Sequence, residues 1–204
     1  MNIKKLFIIP VFLLLLAGCT GADLTKENAS LLVTDFLEDF RKGDYDGMYA
    51  CTHDGYTYFN GIYNPESQSN ANMFNALGQN MEYRIKSVSV HGKEADVTVY
   101  VKNCDTAQVL RDVTATYISA CEQDTENQLD KDELLAETTK FCFSRADNPT
   151  VEHDTVFNLI EKDGKWAIQS NIMIYDDITG GYMTYVYKNV VFPDLLGDAN
   201  KQKE

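Results

Sequence analysis

The chain lacks the short motifs that announce common chemistries: no P-loop, no Gly-rich dinucleotide turn, no Gly-x-Ser-x-Gly elbow and no His-Glu-x-x-His metal helix. No Cys-x-x-Cys pair occurs, which removes the usual redox motif and half a zinc site. Acidic stretches such as Asp35 to Asp39 and Asp130 to Glu133 lack the Asp-x-Asp-x-Asp-Gly spacing of an EF-hand and read as solvated helix faces and caps. Neither cofactor nor metal is expected. Basic residues are scarce as well. The 18 Lys and Arg stand against 31 Asp and Glu, a net charge of −13. A nucleic-acid partner is therefore not expected, because such binding needs cationic side chains that displace counterions from phosphate. Nor does any apolar run reach the roughly 20 residues a helix needs to cross a bilayer. Leu6 to Ala17 falls short and contains Pro10.

That short apolar run follows Lys4 and Lys5 and ends in Leu16-Ala17-Gly18-Cys19. A basic start, a short apolar stretch and small residues at its close read as an export signal rather than a spanning helix. The closing tetrad resembles the lipobox of bacterial lipoprotein signal peptides. The resemblance implies cleavage before Cys19, lipid attachment to its thiol, and a chain anchored to the cell membrane facing outside the cytoplasm. Residues 1–18 are then the signal peptide and 19–28 a lipidated cysteine with a short tether. Losing Lys4 and Lys5 makes the remainder more acidic still. Anionic lipid repels such a surface within a Debye length of about 8 Å, so a working face is expected to point away from the membrane.

Four further cysteines, Cys51, Cys104, Cys121 and Cys142, allow three pairings, and the sequence does not choose between disulfides and free buried thiols. Local structure is easier to read. Ala29, Leu32, Val33, Phe36, Leu37 and Phe40 form one stripe of an amphipathic helix, with Thr25 as N-cap and Gly43 as left-handed stop. Asp44 can cap a second helix through Met48 and Cys51, and Ser69 a third through Met73, Phe74, Leu77 and Met81.

Strands follow. Glu82 to Val90 is β-rich, but its apolar phase changes near Ser87, as a bulge would cause. After a turn at His91-Gly92-Lys93-Glu94, Ala95, Val97, Val99 and Val101 alternate with polar residues in a half-buried antiparallel strand. Asp163-Gly164 is a type I′ pair joining Thr155–Lys162 to Lys165–Ser170. Between the hairpins, residues 105–141 take a helical period, with Asp130 as a cap. Tyr182 to Phe192 has strand composition, and 193–204 reads as a frayed tail.

The order of elements, with Lys42-Gly43-Asp44-Tyr45-Asp46 after the first helix and Lys162-Asp163-Gly164-Lys165-Trp166-Ala167-Ile168 in a hairpin, resembles small exported NTF2-like domains of bacterial lipoproteins, in the cystatin-like superfamily. The resemblance implies an α+β fold, N-terminal helices packed on a strongly curved antiparallel sheet, forming a cone over residues 29–192 with a helical insertion at 105–141. It implies no specific activity.

His53-Asp54 and His153-Asp154 are adjacent in sequence, so their side chains diverge and make no simple dyad; all three histidines are expected to be surface or packing residues. The better site candidates are Tyr56, Tyr58 and Tyr63, interleaved with Asn60 and Asn64 on a loop, whose rings and amides suit recognition of a small molecule, peptide or protein. The opposing reading is that these rings complete the core. A noncatalytic, membrane-anchored binding lipoprotein leads. The alternatives are an isomerase or dehydratase on the NTF2-like fold, with Asp54 and the tyrosines as first residues to test, and a purely structural interaction domain.

Overall fold

Helix formation begins at Thr25, whose hydroxyl accepts a hydrogen bond from the Asn28 amide at 3.1 Å and so satisfies one of the first-turn donors. The computed structural model describes residues 25–53, 58–59, 62–124, 126 and 128–191. Cys19, Tyr56, Asp54, the tether to residue 24 and the tail from residue 192 lie outside them. Helix α1 (Lys26–Lys42) starts within the segment expected to be tether, buries Ala29, Val33, Phe36, Leu37 and Phe40, and ends at Gly43 with φ of 73°. Asp44 caps α2 (Tyr45–Cys51) through the Gly47 amide. The cap of α3 (Gln68–Asn80) is Ser67 rather than Ser69: its hydroxyl accepts from the Asn70 amide, and Ser69 falls inside the first turn.

Four strands form an antiparallel meander in the order β1 (Glu82–His91), β2 (Glu94–Cys104), β3 (Thr150–Lys162) and β4 (Lys165–Ile168). The β1–β2 register slips by one residue between Ile85 and Ser87, so Tyr83 and Ile85 share a face with Val88 and Val90 despite their broken alternation. The tight turn at Asp163 and Gly164 takes φ of 53° and 81°, both left-handed, as a type I′ hairpin requires.

One face of the sheet is covered and the other is wet. Ala95, Val97, Val99 and Val101 of β2 are at most 1% exposed. On this face α1 crosses β1, β2 and β4, and α3 meets β2. Burial of each such valine is worth about 1.5 to 3 kcal/mol relative to exposure. On the opposite face, Lys86 pairs with Asp154 at 2.6 Å, Lys102 with Glu82 at 3.0 Å, and Arg84 lies 5.6 Å from the Tyr100 ring centre.

Two helices lie within residues 105–143: α4 (Thr106–Gln123) and α5 (Lys131–Phe143) pack on each other, and α5 packs on α3. Asp105 and Asp130 cap them. The C-terminal expectation is overturned. Tyr182 onward is not a strand but α7 (Tyr182–Val186) followed by a π-helical turn, Tyr187–Val191. It comes after α6 (Ile172–Ile178), which lies against β2 and β3. The reason is a distant cap. Gly181 at the start of α7 has no side chain, and Asp176 takes its place, accepting from the Thr184 amide at 2.8 Å and its hydroxyl at 2.7 Å. β propensity in Tyr, Thr and Val is weak enough for this to outweigh it.

The four cysteines beyond residue 25 are free thiols. Cys51, Cys104 and Cys142 are buried and Cys121 is half-buried. Among the described residues, no helix is long and apolar enough to cross a membrane.

Candidate functional site

The described aromatic residues of the tyrosine loop, Tyr58, Phe59 and Tyr63, pack inward. Phe59 is 2% exposed, stacked on Phe40 at 5.5 Å and edge-on to Phe74 and Tyr175. Tyr58 and Tyr63 flank it half-buried, Tyr58 against Tyr175 at 5.2 Å and Tyr63 against Tyr45 at 4.3 Å and Phe74 at 5.5 Å. These two rings spend much of their surface on packing. Tyr56 lies outside the described residues.

A cleft of about 680 Å³ opens instead where the start of α4, the start of β3 and the α6–α7 hairpin converge. Its floor is locked by short bonds across distant parts of the chain. The Thr106 amide donates to the Gly180 carbonyl at 3.0 Å and the Thr106 hydroxyl to the Thr179 carbonyl at 2.6 Å. The Asp105 amide donates to Pro149 at 2.7 Å. Gly180 sits so close to β2 that a Cβ there would lie 1.9 Å from the Cys104 carbonyl oxygen, and its φ of 60° is left-handed. Only glycine fits both constraints. Next to this floor, buried Asn103 donates to the carbonyls of Leu77 at 3.0 Å and Ile178 at 2.8 Å, fixing α6 on the sheet.

Ionisable groups line the walls. Val151, His153, Thr155 and Phe157 alternate along the helix-facing side of β3; Thr155 and Phe157 are buried, and His153 reaches the cleft. Its Nδ1 stands 3.5 Å from Oδ1 of Asp177, whose other oxygen accepts from the Thr155 hydroxyl at 2.7 Å. Burial raises the Asp177 carboxyl above its ordinary pKa, against the smaller opposing effects of Thr155 and His153. Asp154 points to the opposite sheet face and pairs with Lys86, so the sequence neighbours His153 and Asp154 do diverge. His91 ends β1 on the surface, and exposed His53 donates its amide to Ile168.

The remaining wall carries Arg111 from α4, Tyr185 from α7 and Lys188 from the π-helical turn. Arg111 was hidden from a sequence reading on the polar side of a helix, and Asp176 and Asp177 in a stretch with no assigned element. The one available signal was Gly180-Gly181, which marked a tight turn.

A second cavity of about 700 Å³ lies between the starts of α3 and α5, walled by Glu66, Asp130, Asp132, Glu133 and Glu137. Asp130 is committed to capping, and acidic groups at a first turn are ordinary partners of the helix dipole. Among the described residues no group of three or more His, Cys, Asp or Glu side chains could hold a metal ion.

No family model matches this chain, and no curated protein matches it. Among solved structures it is similar to ycdA, a candidate lipoprotein from Bacillus subtilis subsp. subtilis str. 168. The two are 15% identical, with a TM-score of 0.43 over 75% of this chain and 47% of the other. The chain thus spans about half the length of that protein.

Proposed function

We propose that this chain is a cell-envelope lipoprotein, held at the outer side of a membrane by lipid on Cys19, whose α+β domain captures a small ligand in the cleft between α4, β3 and α7. Leu16-Ala17-Gly18-Cys19 after a short apolar run supports the anchor. The binding reading is carried by the cleft itself: about 680 Å³ of space over a backbone floor already locked by Thr106, Thr179 and Gly180. Within this reading the domain is NTF2-like, supported by the first helix ending at Gly43-Asp44 and the hairpin at Asp163-Gly164-Lys165-Trp166.

Capture without turnover is favoured because the hydroxyl beside the His153 and Asp177 pair, that of Thr155, is 3% exposed and bonded to the carboxylate, out of reach of a substrate. One observation favours the second reading, an isomerase-type enzyme: Asp177 is a carboxyl raised by burial beside a histidine, the setting of a general base.

The anchor is tested by feeding cells a tagged fatty acid and determining the mature N-terminus by mass spectrometry. Label on Cys19, lost in Cys19→Ser, is expected; a mature N-terminus elsewhere overturns the anchor. The cleft is tested by native mass spectrometry of protein released from its own membranes. Ala107→Trp, which fills the cleft without removing a charge, should abolish any retained ligand. Retention by that variant overturns the cleft as the site, and release of a chemically altered ligand favours the enzyme.

A further inference from the structure

We infer that the cleft takes a small oxyanion, a carboxylate or phosphate group, held by Arg111, Lys188 and the backbone N–H of Ala107. The inference rests on the cleft being the binding site. Its ground is which hydrogen-bonding groups the fold has already used. The carboxylates of the wall already accept hydrogen bonds from the protein: Asp105 accepts from the Gln108 amide at 3.0 Å, and Asp176 receives both the amide and hydroxyl of Thr184. Asp177 is occupied by Thr155 and faced by His153. The donors are left over. Arg111 gives one N–H to Gln108 at 2.8 Å and makes no ion pair among the described residues, and Lys188 makes none either. A guanidinium carries five donors and an ammonium three, so most of that capacity faces the cleft and solvent.

The start of α4 adds to it. In the first turn, the Thr106 amide is used by Gly180 and the Gln108 amide by Asp105, while the Ala107 amide has no partner among the described residues. Ala107 lines the same cleft as Arg111, one turn further along this 18-residue helix. An unpaired first-turn N–H lining the same cleft as two cations is complementary to a group that only accepts hydrogen bonds.

The experiment uses full-length protein in detergent, titrated separately with inorganic phosphate and with succinate while backbone amide NMR signals of Ala107, Gly180 and Gly181 are followed. Saturable shifts at these three amides are expected, weakening with added salt. Arg111→Gln and Lys188→Gln should each weaken the affinity about tenfold or more, with unchanged thermal melts because both side chains are exposed. A response to phosphate alone or succinate alone identifies which oxyanion the cleft takes. Binding within about twofold of the parent in both variants overturns the inference. So does silence towards both anions when Ala107→Trp still strips a retained ligand, and in that case the cleft reading survives. If that variant retains the ligand, the cleft reading has failed too.

Discussion

The indole N–H of Trp166 on β4 donates to the carbonyl of Thr25 at 3.0 Å, joining residues 141 apart in sequence. This bond pins the N-terminal end of α1, and with it the point where the chain leaves towards Cys19, to the last strand of the sheet. Six residues reach at most about 20 Å when extended, so a lipid on Cys19 would hold this end of the domain near the bilayer.

Trp166→Phe removes the donor and leaves one smaller aromatic ring in the core. It should cost at least about 1 kcal/mol in a denaturant melt, the usual net worth of one hydrogen bond, with the lost ring volume adding to it. A variant as stable as the parent would show that the bond contributes nothing.

Phe40→Ala should cost about 3 to 5 kcal/mol, because the ring is fully buried in the cluster with Phe59 and its removal leaves a cavity. The same melts decide this. A loss under about 0.5 kcal/mol would match a surface position and contradict the burial.

Gly180→Ala and Gly92→Ala separate steric exclusion from backbone strain. Both glycines have positive φ, but a Cβ at Gly92 meets nothing within 4 Å, whereas at Gly180 it collides with the Cys104 carbonyl. Gly92→Ala should lose about 1 kcal/mol, and Gly180→Ala several times more or fail to fold. Equal losses would remove Gly180 from its proposed place under the cleft.

Thiol reactivity should be ordered by burial. Burial pushes the Cys51 and Cys104 thiols up to about 11, so they stay protonated and inaccessible, while Cys121 is half-buried. Peptide mapping after brief alkylation of native protein should find Cys121 modified first. Earlier modification of Cys51 or Cys104, or a disulfide between any of the four, contradicts the structure.

Asp177 should make stability depend on pH in an unusual direction. Its folded pKa is raised, so its contribution is greatest below the ordinary carboxylate range and is lost as pH rises through the raised value. At about pH 7 the charged, buried group is a net cost, and Asp177→Asn, which can still accept from Thr155, should melt higher than the parent. The advantage should shrink towards about pH 4. An advantage independent of pH, or a variant less stable throughout, would contradict the burial effect.

Elements whose stabilising partners lie within a few residues could be read in advance. Thr25, Asp44 and Asp130 each cap the helix that follows at once, the alternation of Ala95 to Val101 needs only a sheet with one wet face, and the phase change near Ser87 records its own bulge. The proposed lipid attachment at Cys19 rests on the same kind of local signal, a motif of four consecutive residues. The candidate site was almost illegible for the opposite reason. Its histidine meets a carboxylate 24 positions away rather than the one beside it, because strand geometry sends His153 and Asp154 to opposite faces. α7 forms under a cap that Asp176 supplies across a turn by accepting from Thr184, and Phe59 of the tyrosine loop turns inward onto Phe40, Phe74 and Tyr175. Short-range capping and periodicity are properties of the sequence alone. Which side chains share a cavity is decided only when the chain closes on itself, because that depends on partners whose separation along the chain says nothing of their distance in space.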